Sequence, residues 1–240
     1  MPAKRVSPST NRLLKSLSPD EQQLVLENSE IVDLAFGDIL CECNQNSRYV
    51  YFPLSGVISL VVSIDEEAPL ELAMIGWEGM LGATRVLGVS EAPMRAVVEG
   101  TGAAVRLTVR AFEDLSGDGT QLQAIVKRYL FVLLTQMTRT AGCTHFHEVS
   151  SRLARWLLMT HDRSPGNSFY LTQQFLSEIL GVQRSAVSIA ASALQQSNLI
   201  NYSRGDITIL NRKGLENAAC SCYAAIVKDH RRFSNLAGAH

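Results

Sequence analysis

Apolar residues from Leu171 onward fall at intervals of three and four, the period of a helix with one buried side. Phe175, Leu176, Ile179 and Leu180 form one stripe; Val187, Ala190 (or Ala191) and Leu194 form a second. Thr172 stands where a hydroxyl can accept from the open first-turn amides, and Gly181 suits the left-handed residue that ends many helices. Two short strands then flank Ser203-Arg204-Gly205-Asp206, with Gly205 suited to a tight hairpin turn. Between Ile31 and about Phe112 the pattern changes to short apolar runs broken by Gly, Pro, Asn and Asp. Strands are expected at Ile31–Ala35, Val50–Phe52, Gly56–Ser63, Leu70–Ile75, Arg95–Val98 and Ala103–Thr108. Such spacing predicts a roll, barrel or sandwich. Ahead of it, residues 1–10 read as a loose tail, followed by short helices at Asn11–Leu17 and Pro19–Asn28, the second capped by Ser18.

A long helix is expected from Gly119 or Thr120 to about Cys143, with two apolar stripes. One holds Val126, Leu130, Leu133, Met137 and Ala141, the other Leu122, Ile125, Tyr129, Val132 and Gln136. Two apolar sides call for two packing partners. One is the β-roll of the same chain. Along Leu122, Ile125, Tyr129, Val132 and Gln136 the partner expected is the same helix of a second chain, in a coiled-coil-like seam. The alternative is complete burial within one chain.

Helix, tight turn, helix and hairpin make a winged helix-turn-helix, whose second helix enters a DNA major groove. With Val187, Ala190 and Leu194 facing inward, Arg184, Ser185, Ser188 and Ser192 fall on the outer face, and Gln183 stands at the helix start. An arginine there matches the paired acceptors of guanine, the serines suit bases or phosphates, and Ile189 suits a thymine methyl. Thr172 and Arg204 complete the expected DNA-contacting set. The alternative is an ordinary solvated helix face.

Charge is distributed to match. The formal charge of the 240 residues is only −1, but from His145 onward ten basic residues stand against six acidic ones, +4, leaving −5 for the N-terminal part. A basic end beside an acidic one suits a DNA reader joined to a sensor. The length allows two domains, expected over residues 1–144 and 145–240, and a 46% hydrophobic content is that of a globular protein. No apolar run spans a bilayer and the N-terminus lacks a signal-peptide core, so a cytoplasmic location and no membrane partner are expected. Five cysteines do not suggest a disulfide framework.

The order of parts resembles the Crp/Fnr transcription regulators, relatives of the cyclic-AMP receptor protein. Val50–Val62 (VYFPLSGVISLVV), Ser150–Leu158 (SSRLARWLL) and Leu171–Ser188 (LTQQFLSEILGVQRSAVS) carry the likeness, which spans nearly the whole chain. It implies an α+β chain: a cyclic-nucleotide-binding-like β-roll, a long dimerisation helix and a C-terminal winged helix-turn-helix. It places Gln183, Arg184, Ser185 and Ser188 at base-reading positions. The family's usual acidic residue after the arginine is Ser185 here, so the half-site need not be the familiar one. Partners implied are double-stranded DNA, a second copy of the chain, RNA polymerase and a small-molecule effector.

The effector region departs from the family pattern. Cyclic-nucleotide members hold the ribose with a glutamate and the phosphate with an arginine. Alignment puts Ala83 at the glutamate position and Ala92-Pro93 where Arg-Ser is expected. Without a placed cation a buried phosphate loses its charge-assisted bonds, so cyclic AMP is not the expected ligand. Candidate lining residues are Glu78, Met80, Leu81, Arg85 and Arg95. Cys41 and Cys43 are too few for an iron–sulfur cluster and read as packing residues with an open redox role. Cys143-Thr144-His145-Phe146-His147-Glu148 is similar to the His-x-His metal motif of cupin enzymes. Its place between two helices, outside the sheet, speaks against that enzyme reading. No catalytic residues, metal or cofactor are therefore expected. A DNA binder without any ligand is the other alternative.

Overall fold

The computed structural model describes residues 8–64, 69–164 and 166–235, so residues 1–7 of the expected tail lie outside the described residues. Pro8–Thr10 form one 3-10 turn ahead of helices α1 (Arg12–Lys15) and α2 (Pro19–Glu27). Strands β1 (Glu30–Leu34), β2 (Ile39–Cys41), β3 (Tyr49–Pro53), β4 (Val57–Val62), β5 (Leu70–Ile75), β6 (Arg95–Gly100) and β7 (Gly102–Thr108) follow. Then come α3 (Val109–Leu115), the long α4 (Gln121–Phe146), α5 (Val149–His161) and β8 (Ser168–Tyr170). The C-terminal elements are α6 (Gln173–Leu180), α7 (Arg184–Gln196), β9 (Ile200–Ser203), β10 (Asp206–Ile209), α8 (Arg212–Ala218) and α9 (Ser221–Asn235). The chain divides into two compact units, residues 1–60, 74–134 and 230–240 in one, and 61–73 and 135–229 in the other.

The first unit is the expected β-roll. Strands order β1-β7-β3 in one sheet and β2-β6-β4-β5 in the other. Val50, Phe52, Leu54, Ile58, Met74, Ile75, Met80 and Leu107 fill its core. Asn11 pins the N-terminal helix to the roll: it caps α1 and its buried amide donates to the Pro53 and Gly79 carbonyls, each at 2.9 Å. Ser18 caps α2 as its position suggests. The start of α4 is capped by a distant carboxylate as well as by a neighbouring hydroxyl, Thr120, which accepts from the Gln123 amide at 3.2 Å. Glu21 accepts from the amides of Gln121 and Leu122, both at 2.9 Å, where an anion also complements the helix dipole.

The packing of α4 corrects the expected dimer stripe. Leu122, Ile125, Tyr129, Val132 and Gln136 are all buried by their own chain. The Tyr129 ring lies so close to Gly79 that a Cβ on that glycine would meet the phenolic oxygen at 2.2 Å. Val126 and Leu133 of the other stripe are buried as well. Ala124, Lys127, Phe131, Leu134, Thr138, Ala141 of the second stripe and His145 are exposed, with Phe131 at 52% and Leu134 at 61%. The two stripes are neighbours on one broad arc, buried along the first stripe and at Val126 and Leu133, half-buried at Leu130 and Met137, and exposed at Ala141.

The second unit is built round α5, nine of whose residues, Arg152–Thr160, are buried. It packs against α6, α7 and α8. The Trp156 indole donates to the buried Glu71 carboxylate at 2.9 Å. β8, which the sequence pattern does not reveal, joins the hairpin in a sheet ordered β8-β10-β9. A three-residue strand is too short to show alternation.

The faces of α7 differ in what they contribute to stability. Leu194→Ala, at a position 4% exposed, should cost about 2–5 kcal/mol in urea unfolding, whereas Ile189→Ala, at 73% exposure, should stay within about 0.5 kcal/mol.

Candidate nucleic-acid interface

The turn between α6 and α7 is set by Gly181, which ends α6 at φ +60° with its amide donating to the Ser177 and Glu178 carbonyls. That left-handed residue costs an L side chain strain that glycine escapes. The neighbouring Leu180 carbonyl accepts from the buried guanidinium of Arg152 on α5. Val187, Ala190, Ala191 and Leu194 are buried, and the other side of α7 is thereby turned outward.

Gln183, Arg184, Ser185, Ile189 and Ser192 are exposed there, and Ser188 is half-buried. The Thr172 hydroxyl accepts from the Phe175 amide at 3.1 Å and caps α6. Gln183 is the N-cap of α7, but its side chain makes no capping bond, so the first-turn amides of α7 receive no oxygen from the cap residue's side chain. Such a helix start attracts anions.

The hairpin turn is of the primed kind. Arg204 and Gly205 have φ +53° and +95°, the handedness that matches strand twist in a two-residue loop. A Cβ on Gly205 would also approach the Tyr170 ring to 2.9 Å. Thr172, Gln173, Arg184, Tyr202, Arg204 and Gly205 line one open groove of about 350 Å³. Two arginines and the first residues of α6 thus face the same space. Burial raises the Tyr202 phenol above its ordinary value, with nearby Arg184 opposing.

Two residues of this surface escape a sequence reading. Gln173 accepts weakly from Arg184 Nε (3.4 Å) and reaches the Ser188 hydroxyl at 3.5 Å, spanning from α6 to α7. The Tyr202 hydroxyl donates to the Leu171 carbonyl at 2.9 Å, and its amide donates to Gln195 Oε1 at 2.7 Å. Only their position after a cap or inside the hairpin signals them, since neither pattern nor charge does.

The expected effector residues differ in exposure and in their partners. Met80 is fully buried, and Glu78 and Leu81 are packed into the roll, with the Glu78 carboxylate accepting from the Gly76 amide at 3.2 Å. Arg85 donates to the Ser47 carbonyl at 2.8 Å and lies 3.6 Å from Glu113. Arg95 pairs with Glu42 at 2.7 Å on the exterior. Cys43 is exposed beyond the end of β2, with its thiol 3.3 Å from the Pro93 carbonyl, so it is not a packing residue. Of the His-x-His motif, exposed His145 meets Phe146 edge-on at 4.6 Å, while His147 faces Cys222. The two imidazoles have different neighbours.

With this geometry in view, comparison with known proteins becomes specific. Residues 151–218 match the model of the Crp-like helix-turn-helix domain. Over about 80% of its length the chain shares its fold with solved regulators of the Crp/Fnr type. FixK2 from Bradyrhizobium japonicum is similar at TM-score 0.67 and 15% identity, over 80% of this chain and 98% of that one. The c-di-GMP-responsive global regulator CLP of Xanthomonas campestris gives TM-score 0.63 at 17% identity, over 80% and 99%. A CRP/FNR-family transcriptional regulator from Thermus thermophilus gives 0.62 at 18%, over 79% and 98%. No curated protein matches the chain by sequence.

The capping bond of this Crp-like domain is separable from its hydroxyl's bulk. Thr172→Ala should lower stability by about 1 kcal/mol in thermal or chemical unfolding, and Thr172→Ser should retain most of it.

Proposed function

We propose that this chain is a homodimeric, sequence-specific transcription regulator of the Crp/Fnr type, with no enzymatic role. The observation that carries the reading is the outer face of α7. Arg184, Ser185 and Ser192 are exposed on a helix whose opposite side is buried, with Arg204 of the hairpin turn lining the same groove as Arg184. Arg184 is the base reader, able to offer paired donors to guanine, while Ser185, Ser188, Ser192 and Gln183 serve bases or phosphates. Thr172 and Arg204 hold the flanking backbone and set register.

The second copy docks along the exposed line of α4. Ala124, Lys127, Phe131, Leu134, Thr138, Ala141 and His145 alternate at intervals of three and four through the helix, the repeat of a two-helix seam. Paired helices then present the two DNA heads to half-sites about one helical turn apart on a pseudo-palindrome.

Cyclic AMP is not the signal. Alanine occupies the position expected for the ribose-binding glutamate, and Arg85 and Arg95 already meet oxygens of the chain. Any other effector acts by binding two dimer states unequally.

Selection of bound sequences from a random DNA pool tests the reading. Arg184→Ala should weaken the selected site by about 1–3 kcal/mol and relax one base pair in each half-site. Added cyclic AMP should leave the affinity unchanged. An unchanged sequence preference in the variant would remove Arg184 from base reading. Independently, Phe131→Glu with Leu134→Glu should shift the sedimenting species from dimer to monomer while the circular dichroism spectrum is retained. A wild-type monomer at micromolar concentration would reject the seam.

A further inference from the structure

Cys143, His147, Cys220 and Cys222 converge although the third lies 73 positions beyond the second. Their ligand atoms all lie within 4.8 Å of one another. Cys143 Sγ is 3.4 Å from Cys220 Sγ, and Cys222 Sγ is 3.6 Å from His147 Nδ1. We propose that these four residues form a structural divalent-metal site, for zinc, that joins the end of α4 to the start of α9.

The spacing fits one tetrahedral ion. Zinc–sulfur and zinc–nitrogen bonds of about 2.3 and 2.1 Å give tetrahedron edges of about 3.8 Å between sulfurs and about 3.6 Å from sulfur to nitrogen. An iron–sulfur cluster, with its ligands on different iron atoms, needs a wider cage. Sequence placement also fits. Cys143 and His147 are one helical turn apart, the His147 amide still donating to the Cys143 carbonyl at 3.1 Å. Cys220 and Cys222 bracket the first residue of α9, with the Cys220 amide held by the Ser151 carbonyl at 3.4 Å. Arg139 of α4 pairs with Asp229 of α9 at 2.9 Å, so the two helices are already in register without the ion.

A second observation points to an anionic site. Arg152 and Arg155 are buried beside the cysteines, and the Nε atom of each lacks a hydrogen-bond partner. Two buried cations side by side are costly without a counter-charge. A zinc ion bound by three thiolates and a neutral imidazole carries a net charge of about −1 and supplies it. On binding, three Zn–S bonds and one Zn–N bond form, each thiol's proton goes to solvent or has already left, the metal's waters leave, and nothing is oxidised or reduced. Four protein ligands leave no open position, so the site holds structure and does not catalyse.

The test uses the full chain, stripped with chelator and reloaded with zinc or with cobalt(II). The wild type should hold about one ion per chain by mass spectrometry of metals, and the cobalt form should show thiolate-to-metal charge transfer with tetrahedral d–d bands. Cys220→Ser and His147→Ala should lower zinc affinity more than the roughly 10–100-fold typical of losing an outer-shell partner. Cys43→Ser should not change it. Cys222→His, which keeps a ligand, should still bind with weaker charge transfer, and so guards against a variant that merely fails to fold. The proposal is overturned if reloaded wild type holds no metal, if Cys220→Ser binds as well as wild type, or if an iron–sulfur chromophore appears. A Cys143–Cys220 disulfide in protein prepared without oxygen would also overturn it. Metal content is read without DNA, so this result and the DNA reading stand or fall separately.

Discussion

The junction of α6 and α7 depends on a buried cation. Arg152 reaches from α5 to the Leu180 carbonyl, one of the four acceptors that every helix end leaves open. Gly181 then takes the left-handed backbone, and the N-cap of α7 follows two residues later. Remove the guanidinium and a buried carbonyl loses its donor at the point that sets the angle between the two helices. Burial lowers the affinity of Arg152 for its proton, and the nearby Cys143 and Cys220 act against that. Arg152 is thus the side chain that lies under the influence of the thiol cluster and also holds the end of α6. Both cysteines and Arg152 lie close together in the unit built round α5.

The outward face of α7 follows from what the inner face must do. Val187, Ala190, Ala191 and Leu194 are small or medium residues that let α7 approach α5 and α6 closely. Once they are inside, the 3.6-residue period leaves Arg184, Ser185 and Ser192 nowhere to go but out. The hairpin turn adds a separate constraint. Arg204 sits at positive φ, a conformation that costs a residue with a side chain roughly 1–3 kcal/mol. Asparagine or glycine would fit that position more easily. A cation retained there, lining one groove with Arg184 and Thr172, is the pattern of a site in which local stability yields to charge placement.

Legibility in the sequence tracks the length of each periodic signal. The stripes of α6 and α7, the Thr172 cap and the Gly205 turn all show because each is a local pattern whose partners are within a few residues. Most strands of the roll show for the same reason, while β2 and β8, three residues each, do not. The α4 stripes are visible as apolar lines, but not which of them the chain covers. Leu122, Ile125, Tyr129, Val132 and Gln136 lie beside Val126 and Leu133 on one arc, and the chain buries them all. Phe131 and Leu134 belong to a sparser line interrupted by Lys127 and Thr138, which no count of apolar residues would rank first.

The cysteine cluster is illegible for a different reason. His145 and His147 suggest a His-x-His motif of another kind, and five cysteines spread along the sequence suggest neither the right partners nor the right number. Folding supplies them, because α5 and the winged unit fill the interval and return the chain to the end of α4 at Cys220. Long-range closure of this kind has an entropic cost that rises only slowly with loop length. Once the helices pack, most of that cost has already been met by the core. Bringing three thiols and an imidazole together then adds little further ordering, while two buried arginines without Nε partners leave a charge imbalance that a thiolate-rich centre corrects. The same imbalance argues against reading the cluster as ordinary packing. Small apolar residues would fill that space equally well and would leave Arg152 and Arg155 without the thiols that act on them.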